Sequence, residues 1–145
     1  MLQRMSDLNP ERLAFRGLWW AIGLGGVAGL VALSLMPEPP GLPGDRNGWL
    51  AHTLAYACLM GWFARLLWAR GPRFAMAIGL VALGVAIEFA QGATGYRSFD
   101  VWDMAADGLG VLAGWLLSPP RAPSVLHGVD ALLARALGLR QRRTQ

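Results

Sequence analysis

Apolar residues in this chain fall into four long runs, separated by short pieces rich in proline, glycine and arginine. Gly17 to Met36 carries no charge and is about 20 residues long, enough to span a ~30 Å hydrocarbon core as a helix. It ends against Pro37-Glu38-Pro39-Pro40. Trp49 to Ala69 follows, with His52 and Arg65 near its two ends, and closes at Arg70-Gly71-Pro72, which reads as a helix stop. The third run extends from Phe74 to about Ala93. The fourth runs from about Val101 to Ser118 and stops at Pro119-Pro120; its hydropathy is the weakest because Asp103 and Asp107 lie in its first half. The pattern predicts transmembrane helices over about 17–36, 49–69, 74–93 and 101–118.

Both flanks carry helical signals too. Asn9 as N-cap, Pro10 at the first helical position and Glu11 in the first turn predict that the first helix begins well before the membrane. Ala32-Leu33-Ser34 before the proline cluster resembles a signal-peptidase site, but the preceding apolar run exceeds the roughly 7 to 15 residues of a signal core. Towards the C-terminus, Val125, Leu126, Val129, Leu132, Leu133 and Ala136 recur at helical spacing, with Ser124 as a cap and Asp130 and Arg135 off the stripe. This predicts an amphipathic helix on the cytoplasmic membrane surface, with Arg140, Arg142 and Arg143 meeting anionic headgroups and His127 solvated.

Composition agrees with the membrane reading. Of 145 residues, 54% are hydrophobic and only 15% charged, too few charges for the surface of a soluble domain of this size. A single cysteine, Cys58, excludes an intrachain disulfide and a cysteine-based zinc site. The net charge of +4 is carried by arginine alone, in interhelical and terminal pieces rather than along a soluble basic face, so no nucleic-acid partner is expected. Across the four spans, eleven arginines fall on one side and only Arg46 and Arg97 on the other, which together make the 13 basic residues. By the positive-inside rule both termini are cytoplasmic. The resulting fold class is an all-α membrane protein: a four-transmembrane-helix bundle over 17–118, a cytoplasmic N-terminal segment over 1–16, and a cytoplasmic tail over 119–145 with an interfacial helix.

This topology gives each intramembrane polar residue a depth. His52 and Tyr56 stack at the outer start of the second helix, Glu88 and Gln91 share a face at the outer end of the third, and Arg97, Asp100, Asp103 and Asp107 open the fourth. Positions 100, 103, 107, 110 and 114 trace one continuous face, acidic in its outer half and glycine in its inner half. Gly110 and Gly114 would admit a neighbouring helix closely, carrying Asp103 and Asp107 towards Glu88 and His52. Plainer roles stand beside this one. Asp100 suits an N-cap, Asp103 favours the helix dipole, and Arg97 could pair with either Asp. Asp107 lies beyond capping range and needs a polar cavity or a proton. Gly25 and Gly29 form a GxxxG serving packing or dimerisation, and most of the tryptophans suit the headgroup level.

The order and spacing of His52-xxx-Tyr56, Glu88-xx-Gln91 and Arg97-xx-Asp100-xx-Asp103-xxx-Asp107-xx-Gly110-xxx-Gly114 resemble the VanZ-like family of small bacterial membrane proteins, over roughly residues 37 to 118. Two positions depart from the family pattern. Gly48 and Trp49 stand where the family often has an Asp-Lys pair, and Asp107 stands where it has Asn. The resemblance implies a bacterial inner-membrane location and a shared outer-leaflet site; the founding member is associated with teicoplanin resistance.

Three function classes remain open. The first is a non-enzymatic protein whose outward pocket, formed by His52, Tyr56, Glu88, Gln91, Arg97, Asp100, Asp103 and Asp107, binds a lipid headgroup or cell-wall precursor. A metal-dependent membrane enzyme using His52, Glu88, Asp103 and Asp107 is the second, though no HExxH spacing or Ser-His-Asp arrangement accompanies them. An architectural subunit of a homo-oligomer or larger complex is the third. The first is preferred, with no cofactor and no metal assigned.

Overall fold

The computed structural model describes residues 13–45, 48–120 and 124–139. The capping signal at Asn9, Pro10 and Glu11, Arg46 and the basic tail at Arg140, Arg142 and Arg143 lie outside them. The described residues form five α-helices and no strand: α1 (Arg16–Ser34), α2 (Trp49–Leu66), α3 (Arg70–Ala93), α4 (Val101–Leu116) and α5 (Val125–Ala136). By length and apolarity α1 and α3 are sufficient to cross a membrane.

Helix ends differ from the sequence reading in instructive ways. Leu13 to Phe15 are not helical, so α1 begins at Arg16 and not upstream near Pro10. The second helix stops at Leu66, and Arg70-Gly71-Pro72 does not end it but opens α3, four residues before Phe74. Pro72 is tolerated because the first-turn amides of a helix have no intrahelical acceptor, so a missing N–H there costs nothing. Asp100 caps α4, its Oδ1 accepting from Trp102 N at 2.8 Å.

Helices α1 to α4 run alternately up and down. The most extensive contact joins α2 to α4 and rests on small residues. A Cβ on Gly110 would collide with Thr53 O and lie 2.9 Å from Tyr56 Cβ; one on Gly114 would collide with Ala57 O and lie 2.9 Å from Gly61 N. Only glycine lets the two backbones meet at this separation. In α1 the close approach uses Gly23, against Trp62 and Phe63, and Gly26, against Leu59. Gly25 and Gly29, the pair singled out from sequence, have no atom of the described residues within 4 Å of where a Cβ would stand.

The last helix docks by a different face from the one its apolar stripe suggests. Leu126, Asp130 and Ala134 are buried, whereas Val125, Val129, Leu132 and Leu133 are exposed. Asp130, expected off the stripe, accepts from Ala14 N at 2.8 Å, Phe15 N at 3.0 Å and Trp19 Nε1 at 2.7 Å. α1 has no side-chain cap of its own, so the carboxylate of α5 fills that place. His127 is half-buried rather than solvated, with Nδ1 2.6 Å from Ser124 Oγ.

Beside an apolar core around Met60 and Phe63, the interior holds several polar groups while much of the surface is apolar. Glu88, Gln91 and Asp107 are all at most 2% exposed, while Phe89, Leu109 and Leu112 on the same two helices are more than half exposed. A water-soluble domain has the reverse arrangement.

Candidate functional site

The polar interior gathers at the end of the bundle where α2 and α4 begin and α3 ends. The opposite end carries Arg65, Arg70 and Arg73, with Arg73 donating to Leu67 O and, at 2.6 Å, to Pro119 O.

Local sequence sets His52 in the first turn of α2. Gly48 occupies the N-cap with φ 77°, a left-handed conformation that glycine adopts freely, and the Asp45 carboxylate accepts from Ala51 N at 2.8 Å. Asp45 thus supplies a carboxylate over the start of this helix. His52 then stands between two acids of α4. Its Nδ1 lies 2.9 Å from Asp107 Oδ1 and its Nε2 lies 3.5 Å from Asp103 Oδ2. One helical turn deeper, the Tyr56 hydroxyl is fully buried beside Asp107.

Glu88 reaches in from α3, fully buried. Its Oε2 accepts from Asp100 N at 2.9 Å, which ties the end of α3 to the cap of α4, and its Oε1 has no partner. Asp103 likewise has one buried oxygen, Oδ1, without a partner. One ligand atom each from His52, Glu88 and Asp103 lie within 4.8 Å of one another, an arrangement able to hold a metal ion.

Not every residue singled out from sequence joins this group. His52, Tyr56, Glu88, Asp103 and Asp107 converge. Gln91 turns away and donates to Ser34 O at 2.8 Å, fastening α3 to the end of α1. Asp100 acts as a cap beside the group. Arg97 lies close enough for its charge to act on Asp103, yet among the described residues the ion pairs are those of His52, and Arg97 makes none.

Gly84 completes the site and was not read from sequence. A Cβ there would collide with Asp107 Oδ2 and come within 3.1 Å of Tyr56 Oη, so its bare backbone leaves the space both groups occupy. In an apolar segment rich in glycine and alanine nothing distinguishes this position before the helices are packed. A separate groove of about 530 Å³, lined by Trp19, Ala57, Gly61, Trp62 and Gly114 among others, lies towards the arginine end and contains none of the cluster.

A partly buried imidazole between carboxylates, with orphaned oxygens beside it, can hold a cation, exchange a proton, or accept hydrogen bonds from a ligand. No curated protein and no solved structure is significantly similar to the chain. The VanZ/LLP1 family profile, however, matches residues 42–122, which include α2, α3, α4 and every residue of the buried cluster, and by that match the chain belongs to the VanZ-like family.

Proposed function

We propose that this VanZ-like protein crosses the bacterial inner membrane four times, over a domain of residues 17–118, with both termini and the 119–145 tail in the cytoplasm. In this reading the buried acidic cluster opens outward and binds an envelope component, a lipid headgroup or a cell-wall precursor, as a binding protein rather than a catalyst. The observation that carries it is the inversion of polarity: acids and a histidine from α2, α3 and α4 converge inside a bundle whose outer surface is leucine, phenylalanine and tryptophan. Buried ionisable groups in a lipid-facing bundle are costly, about 2.5 to 3.5 kcal/mol each on insertion scales. A ligand that engages them offsets that cost.

Arg97 supports an anionic ligand. It lies near enough for its charge to act on Asp103 and has no ion-pair partner among the described residues, and a guanidinium grips phosphate or carboxylate with two parallel hydrogen bonds. The exposed apolar face of α5, with Val125 and Leu132 outward, suits a helix resting on the inner surface. A link to glycopeptide resistance follows from the family alone.

The test is native mass spectrometry of the protein released from its own membrane in mild detergent. A retained lipid or precursor that is lost in Arg97→Ala, at unchanged abundance, is the expected result. Identical ligand content in the two proteins would sink the reading.

A further inference from the structure

We propose that His52 Nε2, Glu88 and Asp103 are the protein ligands of a divalent transition-metal ion, and that Asp107 orients the imidazole without touching the metal. This goes beyond the envelope-binding reading and departs from the metal-free chain expected from sequence. It stands whether or not the pocket also takes an anionic ligand.

Geometry comes first. Each of the three residues offers one ligand atom, and these atoms lie within 4.8 Å of one another. Ions of this class sit about 2.0 to 2.2 Å from imidazole nitrogen and carboxylate oxygen, so ligand atoms around one centre are separated by up to roughly 4 Å. A small contraction of side chains closes the shell. The residues come from three different helices, so that contraction requires no change within any one of them.

Partner accounting points the same way. Buried polar atoms are almost always hydrogen-bonded, yet Glu88 Oε1 and Asp103 Oδ1 are both buried without partners, in residues 0% and 9% exposed. Glu88 has its other oxygen engaged by Asp100 N, and the other oxygen of Asp103 lies 3.5 Å from His52 Nε2. The free oxygens are the ones a cation would take.

The histidine is held as metal-ligating histidines are held. Asp107 Oδ1 at 2.9 Å from Nδ1 favours the proton on that nitrogen, leaving a lone pair on Nε2. That lone pair then faces the Asp103 carboxylate at 3.5 Å, two electron-rich groups that a metal ion between them would bridge. One imidazole with carboxylate oxygens favours zinc or manganese over magnesium or calcium, which take oxygen alone. Two ligand carboxylates neutralise the charge of the ion, which suits an interior shielded from water.

The experiment strips the full-length protein with chelator in detergent and titrates it with Zn²⁺ and, separately, Mn²⁺, following heat and, for Mn²⁺, its electron paramagnetic resonance spectrum. One ion per chain is expected, not displaced by Mg²⁺ in large excess. His52→Gln, Glu88→Gln and Asp103→Asn should each abolish stoichiometric binding. Asp107→Asn should weaken it about 10- to 100-fold while leaving one site, and Asp130→Asn should leave affinity unchanged. Helical content and elution volume of each variant separate loss of a ligand from loss of fold. An unfolded ligand variant is replaced by its longer or shorter homologue, Glu88→Asp or Asp103→Glu, for which weakened binding is expected. Stripped wild-type protein that takes up neither ion, or ligand variants that bind as the wild type does, would overturn the site and mark the cluster as an imidazolium between carboxylates only. Either result leaves the Arg97 ligand-retention test unaffected.

Discussion

His52 Nδ1 lies 2.9 Å from Asp107 Oδ1, a bond joining the first turn of α2 to the second turn of α4 inside the bundle. Asp107 is too deep in its helix to be a cap, and this bond is its reason for being there. Because both side chains are largely buried, their coupling is measurable. A double-mutant cycle with His52→Ala and Asp107→Ala, read by unfolding in mixed micelles, should return about 0.6 to 1.7 kcal/mol. Strict additivity would mean that the bond contributes nothing.

Glycines separate into those that set helix contact and those that do not. Gly110→Ala and Gly114→Ala drive a methyl into backbone oxygens of α2, which cannot rotate away, so each should destabilise by about 1 to 3 kcal/mol or more. Gly84→Ala meets the ends of two side chains instead and should disturb the cluster more than the bundle. Gly25→Ala, facing open space, should be neutral or slightly stabilising, since alanine is the better helix former. Equal thermal midpoints for Gly25→Ala and Gly114→Ala would refute this division.

Orientation can be read with single cysteines. In a Cys58→Ala background, Ser98→Cys lies at the acidic end and Ala69→Cys at the arginine end, both exposed in the fold. A membrane-impermeant maleimide added to intact spheroplasts should label Ser98→Cys and leave Ala69→Cys unlabelled until the membrane is opened. The reverse pattern would invert the topology.

Asp130→Ala removes the acceptor from two backbone amides and one indole. Unmet buried donors cost about 1 to 3 kcal/mol, and the weakest element, α5, should come loose first. Limited trypsin digestion should then cut after Arg135 several-fold faster than in the wild type, with α1 to α4 surviving. Unchanged cleavage would show that α5 is held by apolar contact alone.

Helix order and approximate extent among the described residues were legible from the alternation of long apolar runs and proline-rich breaks, because an apolar run of this length favours a helix and proline interrupts one. The small-residue face of α4 was legible for the same reason that it packs: glycine at 110 and 114 repeats at helical spacing beside the acids. Helix ends were not, since Pro72 reads as a stop in one dimension and as a permitted first-turn residue once Ala69 precedes it as cap. Nor could the sequence tell Glu88 from Gln91, which share a face but turn to different neighbours, Asp100 and Ser34. Asp130 and Gly84 were hidden more deeply. The partners of Asp130 lie more than a hundred positions away, and Gly84 matters only for the atoms another helix brings beside it.

The bond from Asp130 to Ala14 and Phe15 also sets an order of events in biogenesis. The carboxylate that accepts from the amides of Ala14 and Phe15 does not exist until residue 130 has left the ribosome. The start of the first helix is thus among the last places to be finished, and a nascent chain arrested before α5 would hold α1 to α4 yet lack the clasp that fastens their beginning.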